Sequence, residues 1–131
     1  MTPTARSMQY YRKLGFIVAR VEQTVHMPAA PFPMKRDAFG FGDLLITKPG
    51  FGAALVQVTD ASSVSARINK IRGIPKNLDD LKQLKEAEHA YKNAKIWLQG
   101  PNRIFVHGWR KGRPRGKRKT WTLTEHEIVK L

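Results

Sequence analysis

The chain has no cysteine among its 131 residues, so no disulfide framework and no thiolate metal site is available to it. That usage fits a reducing compartment. No apolar run approaches the ~18 residues that a membrane span needs. The opening "MTPTARSMQYYRKLGF" lacks the apolar core of a signal peptide, so a cytoplasmic location is expected. Acids are scarce: 10 Asp+Glu stand against 24 Lys+Arg, a formal net charge of +14. Such an excess points to a polyanionic partner, because each cation that meets a phosphate releases condensed counterions. A lipid surface is the weaker partner, since no strongly basic amphipathic helix stands out, and a merely soluble basic surface is the plain alternative.

The length suits one domain over 1–131 with a real core. Residues 4–14 read as a helix, with Thr4 as cap and Met8, Tyr11 and Leu14 at helical spacing. "FIVARVEQTV" (16–25) reads as a strand rich in β-branched residues. "HMPAAPFPMKR" (26–36), with Pro28, Pro31 and Pro33, then reads as a stiff loop. Two strands, 43–47 and 53–59, flank the turn "KPGFG" as a hairpin. "ASSVSARINKIR" (61–72) reads as a helix capped by Ser62 or Ser63, with Val64, Ile68 and Ile71 toward the core and Ser63, Arg67 and Lys70 on a neighbouring face. A longer helix over 78–98 buries Leu81, Leu84, Ala87, Tyr91, Ala94 and Leu98 and exposes Lys82, Lys85, Lys92 and Lys95. Two more strands, 102–110 and 120–131, enclose a basic loop. A hairpin followed by a helical crossover into a further strand predicts an α/β fold, a mixed sheet with helices against it.

The polar residues of the hairpin are out of place for a simple half-buried pair. Leu55, Gln57 and Thr59 share one face of the second strand, and Asp43 opens the first. In simple register Asp43 lies near Gln57 and Thr59. An acid, an amide oxygen and a main-chain carbonyl are hard ligands that suit Mg²⁺ or Mn²⁺. On spacing alone, a turn acid and an exposed strand edge explain the same residues.

With "RDAFGFGDLLI" (36–46), "ALVQVTDASSVSARINKIR" (54–72) and "VHGWRK" (106–111), the chain resembles the PD-(D/E)XK nuclease superfamily, in particular small phage and prophage nucleases related to Holliday-junction resolvases. The resemblance runs from about residue 4 to 123. It implies a restriction-endonuclease-like αβββαβ core and metal-dependent hydrolysis of a DNA phosphodiester, with branched DNA or junctions as structure-selective substrates and a homodimer where two cuts are needed. It further implies that Asp43 and Gln57 hold the metal, that the Val58 carbonyl is another ligand, that Glu22 on the first strand adds an acid, and that Asp37 is a secondary acidic neighbour. One departure matters: Thr59 stands where the superfamily has its catalytic lysine. Lys70, with Arg67 one turn earlier, is the candidate replacement, or else both are phosphate contacts or a solvated face. A fold that has lost cleavage and binds DNA or a protein is the second expectation, and a small basic RNA-binding protein the third.

The segment 110–119, "RKGRPRGKRK", carries Arg110, Lys111, Arg113, Arg115, Lys117, Arg118 and Lys119 and no acid. With Arg36, Arg67 and Lys70 it makes the expected nucleic-acid surface, although a solubilising hairpin tip has the same composition. Nothing in it reads base sequence. The histidines at 26, 89, 107 and 126 lack metal-ligand spacing, and His107 reads as structural or DNA-facing. No Ser-His-Asp arrangement is apparent.

Overall fold

The computed structural model describes residues 1–26, 28–29, 31–112 and 120–131. Helix α1 (Pro3–Lys13) begins on Thr2, whose hydroxyl accepts the Ala5 N–H, with Pro3 in the first turn where no donor is required. The expected cap at Thr4 is thus two residues late. Strand β1 (Ile17–Arg20) follows, then a separate two-stranded arm of β2 (Gln23–Val25) and β3 (Met34–Arg36). After it come β4 (Leu44–Lys48), β5 (Gly52–Asp60), a 3-10 turn (Ala61–Ser63), α2 (Val64–Ile71), α3 (Leu81–Leu98), β6 (Arg103–Gly112) and β7 (Thr120–Glu127).

Five strands form one mixed sheet in the order β1-β4-β5-β6-β7. All its neighbours are antiparallel except β5 and β6, which run parallel and are joined through α2 and α3. Setting the arm aside, the chain threads this sheet as αβββααββ, the expected mixed α/β core with a second helix in the crossover and one further strand, β7. Side chains alternate along β5 and so divide the core. Leu55 packs with Val64, Ile71, Ala90 and Ala94 under α2 and α3, while Ala54, Val56 and Val58 pack with Tyr11 under α1. The sheet is therefore covered on both faces. No helix among the described residues is long and apolar enough to cross a membrane.

Four local expectations are corrected. Residues 16–25 are not one strand: β1 ends at Arg20 and β2 belongs to the other sheet. The segment read as a stiff loop contains β3, whose partner is β2. The long helix starts at Leu81, because the Asp80 carboxylate accepts the Lys82 and Gln83 N–H groups, and Leu81 is exposed. Its fully buried stripe is Ala87, Ala90 and Ala94, small residues that let the helix approach closely. At α2 neither Ser62 nor Ser63 caps through its hydroxyl; Asp60 takes the Ser62 N–H and caps the preceding 3-10 turn.

Gly108 sets the height of α2 above the sheet. A Cβ there would lie 2.4 Å from Val64 Cγ2 and 3.2 Å from the Ala61 Cα, so the turn and the start of α2 rest directly on β6.

Candidate metal centre and cleft

Asp43 sits one residue before β4, where three strands meet. Its backbone N–H donates to the Val56 carbonyl at 2.9 Å, and its carbonyl accepts the Val21 N–H at 3.0 Å. The second bond holds the end of β1 beside Asp43 and so delivers Glu22, the next residue. The chain then turns into the arm. Gln23 pairs with Arg36, so Glu22 and Asp37 lie one step beyond the last pair, at the two sides of the arm's base. One carboxylate oxygen each from Glu22, Asp37 and Asp43 falls within 4.8 Å of the others, a set that could hold a metal ion. Such hard oxygen donors fit Mg²⁺ or Mn²⁺.

The turn after Asp37 is tightly held. Ala38 and Gly42 exchange backbone hydrogen bonds at 2.7 and 2.8 Å, and the Phe39 carbonyl accepts from the Asn93 side chain at 3.2 Å. Phe39 has φ of 56°, a left-handed conformation that costs a bulky residue on the order of 1–2 kcal/mol. The surrounding bonds impose it, and they fix the approach of Asp37 to Asp43.

Asp43 is only 4% exposed. Its Oδ2 accepts the Val58 N–H at 2.7 Å and the Gln57 Nε2 at 2.8 Å. Burial, above all, pushes its pKa up to about 8, and hydrogen bonding and repulsion from Asp37 push the same way. The Val58 N–H opposes this, and Glu22 adds a smaller upward push. The Asp43 carboxyl therefore keeps its proton to a higher pH than an ordinary aspartate does.

The structure brings Asp43 and Gln57 together on adjacent strands, and Val58 joins them through its amide rather than its carbonyl. Glu22 reaches the same point from the junction of β1 and the arm, not from within a strand. Asp37, secondary in the sequence, is a full member of the carboxylate set. Its signal was the pairing of 23–25 with 34–36, which the prolines between them obscure. Thr59 is buried beneath α2 at 8% exposure, paired with Gly108 of β6.

A cleft of 580 Å³ opens beside the carboxylates, lined by Asp37, Lys35, Arg36, Arg67, Lys70 and Glu86, with Gly40 and His89. Arg36, Arg67 and Lys70 therefore line one space together with Asp37. Lys35 also lies 3.6 Å from Glu22. Arg110 and Lys111 extend β6 as strand residues, line neither this cleft nor its neighbour, and are exposed, with Lys111 over the Trp121 ring at 5.7 Å. Arg113, Arg115, Lys117, Arg118 and Lys119 lie outside the described residues.

A second polar cluster lies on the α1 side of the sheet. Ser7, His107 and Glu125 come together although no Ser-His-acid arrangement was apparent in the sequence. The Trp109 indole N–H donates to Ser7 Oγ at 2.8 Å, and Ser7 Oγ lies 2.9 Å from His107 Nδ1. His107 Nε2 lies 2.6 Å from Glu125 Oε2, a carboxylate oxygen that can only accept, so the ring proton belongs on Nε2, and in the neutral ring Nδ1 accepts from Ser7. The Tyr11 hydroxyl donates to the same carboxylate oxygen at 2.8 Å. The hydrogen bond from His107, foremost, holds the Glu125 carboxyl below the usual range, while burial raises Tyr11. Ser7 and His107 are wholly buried, so no substrate reaches the hydroxyl. His107 is structural, and the cluster clamps α1 to β6 and β7.

No family model, curated protein or solved structure matches the chain.

Proposed function

We propose that the chain is a divalent-metal-dependent DNA endonuclease of the PD-(D/E)XK type. The observation that supports this most directly is that Asp37, one of the three clustered carboxylates Glu22, Asp37 and Asp43, also lines a cleft whose other charged residues are mainly cationic. Carboxylates alone suit many cations, and cations alone suit any polyanion. Their meeting in one cleft suits a metal that acts on a phosphodiester. Bound Mg²⁺ or Mn²⁺ would polarise a phosphoryl oxygen and lower the pKa of a coordinated water.

In this reading Glu22, Asp37 and Asp43 hold the ion. Gln57 and the Val58 N–H fix the Asp43 carboxylate, so it meets the ion in one orientation. The Gln57 oxygen and the Val58 carbonyl are the remaining ligands the resemblance implies. Lys70 lines the same cleft as Asp37 and stabilises charge on the phosphoryl group, the work of the lysine that Thr59 replaces. Arg36 and Arg67 grip the flanking backbone as point contacts that carry no sequence information.

One observation favours a second reading, a nuclease fold that binds DNA without cutting it. Thr59 is neutral and buried, so no cation comes from β5 itself. Plasmid and branched DNA incubated with Mg²⁺ or Mn²⁺, beside the Asp43→Ala protein, separate the two. Metal-dependent cleavage that the substitution abolishes supports the enzyme; binding with no metal-dependent cleavage by the parent protein rejects it. Junction substrates also test for paired cuts, and hence for a homodimer.

A further inference from the structure

A second cleft of 340 Å³ adjoins the first and shares Arg67, Lys70 and Glu86 with it. Its own lining includes Ser63 at the start of α2, Lys76 in the connection to α3, and Gln83 on α3. The two spaces therefore form one trough. It starts at Asp37, passes α2 and ends at the α2–α3 connection. Ser63, Arg67 and Lys70 follow one another at spacings of four and three, so they lie on one face and cover about 10 Å of helix axis. Lys35, Arg36, Arg67, Lys70 and Lys76 put five cations on the trough, against Asp37 and Glu86. None of Arg67, Lys70 and Lys76 forms an ion pair among the described residues, so their charge is available to a ligand.

A single buried pocket would suit a small anion. An open channel with cations at intervals suits a chain of phosphates. The Gln83 side-chain oxygen accepts the Asn77 N–H, which leaves its NH₂ group as a neutral hydrogen-bond donor at the far end, as backbone oxygens require, whereas the Ser63 hydroxyl donates to Asp60. From this arrangement we infer that the second cleft is a flanking-phosphate subsite, in which Lys76 and the Gln83 amide hold the backbone of the DNA strand whose reacting phosphate lies at the Asp37 end. The inference rests on the nuclease reading for which phosphate reacts, but not for the binding. It assigns Lys76, which no sequence motif marks, as a positioning residue. It also gives Glu86 a definite effect: the strand passes this carboxylate and is repelled by it.

The test uses exposed residues, so folding is not at stake. Fluorescence anisotropy of a labelled DNA oligonucleotide of about 20 nucleotides, single-stranded and duplex, is measured in EDTA over a range of salt. Lys76→Ala should weaken binding about three- to tenfold near 100 mM salt and reduce the slope of log K against log[salt] by roughly 0.7 to 0.9, one phosphate contact. Glu86→Gln should tighten binding about two- to threefold by relieving a like-charge contact. Lys82→Ala, on an exposed part of α3 outside both clefts, should match the parent protein in affinity and slope. In Mn²⁺, Lys76→Ala should raise KM for cleavage and leave kcat unchanged. Equal slopes for Lys76→Ala, Lys82→Ala and the parent protein overturn the inference, as does a parent protein that binds no DNA in EDTA. Lys76-sensitive binding without metal-dependent cleavage rejects the nuclease and keeps the subsite. Cleavage with Lys76-insensitive binding does the reverse.

Discussion

Replacing Asp43 by asparagine should make the metal-free protein more stable at neutral pH and abolish its response to metal. Asp43 is buried beside Asp37 and near Glu22, and its ionised form is supported only by the Val58 N–H and the Gln57 amide. Burial and its acidic neighbours raise its pKa from 3.8 to about 8. Between these values the folded chain keeps a proton that the unfolded chain has released. Stability is then fully present below the lower value and falls as pH rises toward the upper one, by up to about 1.4 kcal/mol per unit. From pH 5 to pH 7 the loss approaches about 3 kcal/mol, and for a chain of this size that lowers Tm by roughly 10 °C. Asparagine never ionises, and its carbonyl oxygen still accepts from Val58 and Gln57. The difference in Tm between Asp43→Asn and the parent protein should therefore widen across this range in EDTA. Acids remote from Asp43 are common to both proteins and cancel, and the variant also removes the repulsion that Asp43 exchanges with Asp37 and Glu22. Mn²⁺ at about a hundred times its Kd should restore about 2.7 kcal/mol to the parent and nothing to the variant. Thermal melts by circular dichroism at several pH values, with EDTA and then with metal, measure both effects. Parallel pH profiles would refute the claim of a costly buried carboxylate, and equal metal shifts would refute its role as a ligand.

Three further predictions concern other parts of the fold. Gln57→Glu exchanges a hydrogen bond to Asp43 for a fourth carboxylate, so the metal-free protein should lose about 1–3 kcal/mol at neutral pH while Mn²⁺ affinity rises roughly tenfold; a flat calorimetric titration of metal affinity would count against the site. Glu125 is held below its ordinary pKa, so its contribution is present above about pH 4.5 and is lost as acid protonates it in the folded state. Glu125→Gln should therefore cost about 1 kcal/mol at pH 7, a modest figure because a third of the side chain is exposed, and melts below pH 4 should bring the two proteins closer together. Gly108→Ala pushes against Val64 and the Ala61 backbone and should cost about 1–3 kcal/mol in urea unfolding, with weakened DNA binding as α2 and its cations shift.

The parts of the site that lie close in sequence were legible, and the parts assembled from afar were not. Turn chemistry and strand alternation placed Asp43 opposite Gln57, because a hairpin's register follows from its own residues. The crossover from β5 through two helices to β6 followed from the same patterns. Asp37 was undervalued because its position depends on β2 pairing with β3 across three prolines, and three-residue strands leave almost no period to read. Ser7 and His107 meet across 100 residues with no local mark on either. On the long helix Ala87 and Ala94 of the expected stripe are fully buried, but so is Ala90, which the stripe left out, while Leu81 at its start is exposed.

These differences bear on how Thr59 is understood. Read along β5 alone, the site loses one acid at Gln57 and one cation at Thr59, and both losses argue against chemistry. In space the charges return from other elements. Asp37, at the foot of the arm, supplies a third carboxylate to the set around Asp43, and Lys35, Arg36, Arg67 and Lys70 supply cations around the cleft. A lysine on β5 in place of Thr59 would begin beneath α2, at a position with almost no exposure, whereas Lys70 already lines the cleft from the helix above. Gln57, freed from carrying charge, donates a hydrogen bond that a carboxylate could not, and this steadies Asp43 while three acids crowd together. Under the proposed function, the neutral residues on β5 are then support for a charged site assembled across the arm and α2. What decides activity is whether Lys70 meets the phosphoryl group, rather than whether β5 carries a lysine.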